Sequence, residues 1–187
     1  LTFLLCFSMY ISKRALRRHF DPRVYPHETY LLCELQWGGS DRSWIHWVRN
    51  DGDYHAEDYF LEEIFEPRNY NNVCHITLYL SYSPCLECCD TIRDLLNRER
   101  NVHIDIRVAR VFYANTPDNR AALRDLHNMP RVTIQVMEAQ GKVSHYTYCW
   151  ETFIQPGVYY VFSPRSFETA IWKQRLKLQE ILTVSTL

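Results

Sequence analysis

The chain has 187 residues, 47% of them apolar and 14% aromatic, with a formal net charge of −1. Those figures exclude a disordered chain and leave room for one domain with a substantial core, but not for two comfortable ones. The seven cysteines follow no regular framework, which argues for a reducing, intracellular setting over a disulfide scaffold, and local charge clusters say more than the net charge about a nucleic-acid partner.

Residues 1–12 form an apolar extension of uncertain status, ahead of a single domain over 13–187. The apolar run 1–11 is too short to span a membrane. Its positive charges, Lys13 and Arg14, come after the run, whereas a secretory signal carries them before it. An ill-defined start and a hydrophobic strap lying on the domain both fit, and no membrane partner is expected. Residues 12–23 hold Lys13, Arg14, Arg17, Arg18 and Arg23 against Asp21. Arg14, Arg17 and Arg18 can share a helical face, either as a solvated helix end or as an arm contacting phosphates.

Residues 31–37 and 43–49 read as strands of a hairpin turned at 38–41. A second turn, 50–53, begins at Asn50. Helical spacing runs over 55–66, with Phe60, Leu61, Ile64 and Phe65 on the apolar side and Glu62, Glu63 and Glu66 outward. Residues 67–72 break that helix. The stretch 73–81 is rich in β-branched and aromatic residues and predicts a buried central strand, with Cys74 as a core thiol. Ser83 fits the cap, and Pro84 the first turn, of a helix continuing through Ile92, Leu95 and Leu96. Strand 102–112, loop 113–116, helix 117–128 and strand 132–138 then form a strand–helix–strand unit, and a right-handed crossover makes its two strands parallel. Tyr146, Trp150 and Phe153 belong to a following amphipathic helix. Ser163 and Pro164 cap a final helix to Leu182, with Leu176, Ile181 and Leu182 docked and Lys173, Arg175 and Lys177 in water.

The chemistry lies between His55 and Cys89. Zinc takes imidazole and thiolate in a tetrahedral shell, and a catalytic zinc keeps one position open for water. His55 with Cys85 and Cys88 supplies three ligands and leaves that position free. The two cysteines point from one face of a helix start, where the dipole favours thiolates. Cys89 offers a second spacing, but one position around a helix is a rotation of ~100°, which sends it into the core. Glu57 stands two residues beyond His55, near the metal without being needed as a ligand. A carboxylate there can take a proton from water and return it later.

The pattern H-x-E…P-C-x-x-C, together with the runs 81–85, 109–112 and 148–150 in that order, resembles the AID/APOBEC polynucleotide cytidine deaminases. The resemblance covers about residues 20–182. Phe20-Asp21-Pro22-Arg23 and the strand 31–37 make it most similar to the apolipoprotein-B mRNA-editing subfamily. It implies a single three-layer α/β domain, a mixed sheet of about five strands with helices on both faces, and the alternation of strands and helices agrees independently. It further implies deamination of cytosine to uracil in single-stranded DNA or RNA, a bound Zn2+, an RNA-binding protein cofactor and a place in cytoplasm and nucleus. Tyr82 and Phe112 would flank the base, and the Ser83 backbone carbonyl would meet its exocyclic amine. Asn50 would lie near the target nucleotide's sugar, and His27 and Thr29 would border the nucleic-acid groove. Tyr82 departs from the family, which usually has Trp there. A free-nucleoside deaminase, a non-catalytic nucleic-acid binder and a structural zinc protein remain as rivals, and retention of Glu57 argues against the second of these.

Overall fold

Alternating apolar residues give the sheet one dry face. The computed structural model describes residues 9–68, 71–142, 144–157 and 162–183. In it β1 (Tyr30–Trp37) pairs antiparallel with β2 (Ser43–Arg49) and with β3 (Cys74–Leu80). β3, β4 (Val102–Val108) and β5 (Val132–Val136) are parallel, as a right-handed crossover requires. The strand order is β2-β1-β3-β4-β5. Register aligns Val48, Leu31, Leu80, Val108 and Val136 in one row across all five strands, and every one of them is buried. Each such side chain contributes about 1.5–3 kcal/mol by leaving water.

Helices α2 (Ala56–Tyr59), α3 (Leu86–Arg98) and α4 (Pro117–His127) cover this face, and α6 (Glu168–Thr183) packs against α4 and β5. The opposite face carries α1 (Lys13–His19), whose His19 ring stacks on Tyr30 at 4.1 Å, and α5 (His145–Phe153). From α5 the Tyr148 hydroxyl donates to Glu34 at 2.6 Å. The architecture is therefore the expected mixed five-stranded sheet with helices on both faces.

The parallel pair β3 and β4 positions the site. Pairing continues past their C-terminal ends, with the Ala109 N–H donating to the Leu80 carbonyl at 2.9 Å and the Ser83 N–H to the Arg110 carbonyl at 2.8 Å. Residues 81–85 and 109–112 thus emerge side by side at the carboxyl edge, where ligands of open α/β sheets bind.

Several boundaries differ from the sequence reading, each for a physical reason. His55 is the N-cap of α2, which widens over Phe60–Ile64 into a π-helical turn closed by the Phe65 N–H on the Phe60 carbonyl at 2.8 Å. Pro67 disfavours helix in the residue before it, so the helix ends at Ile64 and does not reach Glu66. The N-cap of α3 is Cys85, and Leu86 is its first helical residue. Ser83 does not cap it, because its hydroxyl is committed to the Phe112 N–H at 2.8 Å. β4 stops at Val108, not at Phe112, since the Val111 and Phe112 amides are taken by the side chains of Gln174 and Ser83 in place of a neighbouring strand; β5 stops at Val136. Residues Pro164–Phe167 form a 3-10 turn before α6. On α6 Leu176 is exposed, and Ile171, Gln174, Leu178 and Ile181 make the buried stripe. Of the apolar extension, residues 1–8 lie outside the described residues, while Ile11 is buried and its N–H donates to the Phe153 carbonyl at 2.9 Å.

Candidate active site

The N-terminus of α2 and the N-terminus of α3 bring the donor trio together. His55 and Cys85 are the extended capping residues of their helices, and Cys88 is one turn further along α3. His55 Nδ1 lies 3.2 Å from the Cys88 sulfur and 3.4 Å from the Cys85 sulfur. The three ligand atoms all fall within 4.8 Å of one another, and this is the sole such group of three or more found among the described residues. The trio can hold a metal ion. Cys89 is buried, and its thiol donates to the Pro84 carbonyl at 3.7 Å. Burial pushes that thiol up to about 12, so it stays a neutral core residue.

Coupling sets the two candidate thiolates apart. The Cys88 thiol hydrogen-bonds to the Cys85 sulfur, which draws Cys85 down to about 5 and drives Cys88 far up. Burial opposes charge on His55, but the Cys85 sulfur and the neighbouring acids outweigh it and raise its pKa. Glu57, in the first turn of α2, is 3% exposed. Burial raises its carboxyl to about 7, within the range where one group can both accept and return a proton near neutrality.

All nine residues of the expected metal and substrate sets, together with Glu57, line one pocket of ≈ 160 Å³. His27 and Thr29 come from the segment ahead of β1, and Asn50 from the end of β2. The Asn50 side-chain oxygen accepts from the Thr29 N–H at 2.9 Å, while the Asn50 N–H donates to the Thr29 carbonyl at 3.0 Å. Asp51, not Asn50, makes the side-chain turn, accepting from the Asp53 and Tyr54 amides. Asn50 therefore welds two walls together. Tyr82 and Phe112 meet edge to face, with centroids 6.0 Å apart. A larger cavity of ≈ 440 Å³ opens beside Glu138, Trp172 and Arg175. It contains no metal-ligating trio, so chemistry, not size, selects the smaller pocket.

Lys13, Arg14, Arg17 and Arg18 do not line the pocket. They lie on α1, with Arg14, Arg17 and Arg18 exposed. The helix leads into the pocket's first wall, the segment with His27 and Thr29.

Two residues at the site escape the sequence reading. Arg110 is 0% exposed. Its guanidinium donates to the carbonyls of Asp21 at 2.7 Å, Val24 at 2.8 Å and His19, and lies 4.2 Å from the Tyr82 ring centroid. Buried Gln174 accepts from the Val111 N–H at 2.9 Å. A charged residue between apolar ones in the run 109–112 is the signal for Arg110. Nothing local marks Gln174.

A histidine and two cysteines grouped as metal donors, with a buried glutamate beside them on this sheet, define a nucleobase-deaminase type of centre. The family model described as APOBEC4-like AID/APOBEC deaminase matches residues 19–156, and the chain belongs to that family. Among curated proteins it is similar to the C->U-editing enzyme APOBEC-1 of Mus musculus, 41% identical over 137 residues, or 72% of this chain and 57% of that protein. The Homo sapiens C->U-editing enzyme APOBEC-1 is 39% identical over 137 residues, 72% of this chain and 56% of its own length. The DNA dC->dU-editing enzyme APOBEC-3G of Pongo pygmaeus is 32% identical over 156 residues, 82% of this chain and 35% of its own length. The chain thus spans little more than half the length of these APOBEC-1 proteins.

Proposed function

We propose that the chain catalyses zinc-dependent hydrolytic deamination of cytosine to uracil in single-stranded polynucleotides. The observation that carries this reading is the buried Glu57 beside the His55, Cys85 and Cys88 donors in one pocket. Zinc suits the trio. Bonds of ~2.0–2.1 Å to nitrogen and ~2.3 Å to sulfur in a tetrahedral shell put N and S about 3.5 Å apart, close to the 3.2 and 3.4 Å here. When bound, zinc supplies the Lewis acidity that makes water nucleophilic near neutral pH.

The remaining work falls to the chain's own groups. Glu57 removes a proton from the attacking water and delivers it to N3 as the C4–O bond forms. The other water proton then passes through Glu57 to the exocyclic nitrogen, the C4–N bond breaks, and ammonia leaves a C4 carbonyl. The Ser83 carbonyl accepts from the amine, and Asn50 faces the sugar. Tyr82 and Phe112, set at 75° to each other, offer the base an L-shaped wall and not a parallel sandwich. Base–aromatic contact of this kind is worth ~1–3 kcal/mol. The Tyr82 hydroxyl donates to the Pro26 carbonyl at 2.8 Å, so tyrosine in place of the family's usual tryptophan also anchors the first wall.

The relatives' names specify C-to-U editing and DNA dC-to-dU editing, which supports a polynucleotide over a free nucleoside. The test is uracil formation in matched DNA and RNA oligonucleotides, single-stranded and fully paired, with free cytidine alongside. A paired cytosine must be unstacked at a few kcal/mol, and each ~1.4 kcal/mol left uncompensated is tenfold in rate. Preference for single strands over both duplex and cytidine is expected. Equal rates on duplex and single strand, or activity on cytidine alone, would overturn the proposal.

A further inference from the structure

We propose that Gln174 is a positioning residue: from α6 it ties the two walls of the pocket mouth together and so governs how the nucleotide beside the target is received. The inference rests on the function proposed above.

Gln174 is a polar residue where helical geometry asks for an apolar one. The buried stripe of α6 is Ile171, Gln174, Leu178 and Ile181, and Gln174 is only 2% exposed. A leucine there would bury more apolar surface with no polar atoms to satisfy, so a buried amide has to find partners that compensate its desolvation. One partner is created by the early end of β4. Beyond Val108 the buried Val111 N–H donates to the Gln174 side-chain oxygen at 2.9 Å. The other partner lies across the mouth. Gln174 Nε2 donates to the Tyr25 hydroxyl at 3.3 Å, in the segment that goes on to His27 and Thr29.

Both tethered elements expose aromatic surface beside the pocket. Tyr25 is 61% exposed and Tyr113 is 65% exposed. Tyr113 adopts a positive φ of 40° and packs against Phe112 at a centroid distance of 4.1 Å. A bulky residue at positive φ is strained and persists only where its surroundings fix it. Here they do: Gln174 holds the Val111 amide, and Ser83 holds the Phe112 amide. One buried side chain on the last helix therefore fixes the backbone that presents Phe112 and Tyr113 on one wall, and the phenol of Tyr25 on the other.

Three variants test this: Gln174→Met, Tyr25→Phe and the double substitution. They are read by melting temperature, by kcat and KM on single-stranded oligonucleotides varied at the base preceding the target, and by oligonucleotide binding measured by fluorescence anisotropy. Tyr25→Phe removes the part-buried hydroxyl that accepts from Gln174 and leaves the exposed ring in place, so its melting temperature should fall only slightly. Its KM should rise roughly fivefold, the equivalent of one ordinary hydrogen bond, with a narrowed preference for the preceding base and kcat held. Gln174→Met should show the same changes more strongly, and adding Tyr25→Phe to it should cost nothing further. A Gln174→Met protein that melts earlier but keeps wild-type KM and base preference would reduce Gln174 to a structural residue and overturn the proposal, as would strict additivity. Should Gln174→Met not fold, an unchanged KM and preference in Tyr25→Phe would overturn it equally. A wild type without turnover on any oligonucleotide would sink the proposed function instead. The positioning proposal would then be decided by binding, where equal affinities of wild type and Tyr25→Phe would refute it.

Discussion

Replacing Arg110 with Met should loosen the first wall of the pocket without touching a donor or the glutamate. The guanidinium is fully buried, lies against Tyr82 and serves three main-chain carbonyls, those of His19, Asp21 and Val24. Hydrogen bonds from a charged donor are worth ~1.5–3 kcal/mol each. They are not additive, and part of the segment can rehydrate, so the net loss should be about 3–5 kcal/mol, similar to breaking a buried ionic partnership. At ~2–4 °C per kcal/mol for a domain of this size, the melting temperature should fall by roughly 6–20 °C. Arg110→Lys should recover only part of this, because an ammonium is a point donor without the planar fork that reaches several carbonyls. Thermal unfolding by circular dichroism gives the stability. Amide hydrogen exchange over residues 19–25 should accelerate in both variants. A melting temperature within ~3 °C of wild type for Arg110→Met, which is about 1 kcal/mol, would refute the claim that this side chain holds the segment down.

Two further outcomes follow from particular groups. Neutralising Lys13, Arg14, Arg17 and Arg18 together should weaken oligonucleotide binding and flatten its salt dependence by ~0.7 for each phosphate no longer neutralised, leaving the preceding-base preference in place. An unchanged slope in a salt titration would make α1 a solvated helix end. His145 accepts from the Glu138 N–H through Nδ1 at 3.0 Å. Burial lowers its pKa, with Arg107 adding to the effect and Asp105 and Glu138 opposing it. The neutral ring is the form that the fold favours. Its stabilisation is complete above the unfolded pKa of ~6.5 and is lost as pH falls from there through the lowered folded value. Denaturant midpoints at pH 7.5 and 5 should therefore diverge more for wild type than for His145→Asn, whose side-chain oxygen can accept the same bond without titrating. Identical pH dependence in the two proteins would contradict this.

The sheet was legible in the sequence because each strand's chemistry is local. β4 alternates buried and half-buried residues along its length, and a period of two can be seen without tertiary knowledge. The donors of the site were legible because few residue types bind a metal, and their spacing on a helix start is constrained. What escaped the sequence was set by distant partners. Ser83 looks like a helix cap, but its hydroxyl serves Phe112, 29 residues away. Leu176 looks like a core residue, yet it lies ~200° around the helix from position 174 at 3.6 residues per turn. Gln174 is drawn inward by Val111, 63 residues away in sequence. Arg110 stood inside a recognisable motif, but its partners lie 86 to 91 residues upstream, and no local pattern announces them.

The proposed function divides labour at the centre between a metal held by His55, Cys85 and Cys88 and a proton carrier, Glu57. This division is tested most directly by measuring zinc content and deamination of a single-stranded oligonucleotide on the same samples of wild type and Glu57→Gln. About one zinc per chain is expected in both proteins, with uracil formed by the wild type and none detected with Glu57→Gln. An emptied site in Glu57→Gln, or near-normal turnover by it, would contradict that division of roles.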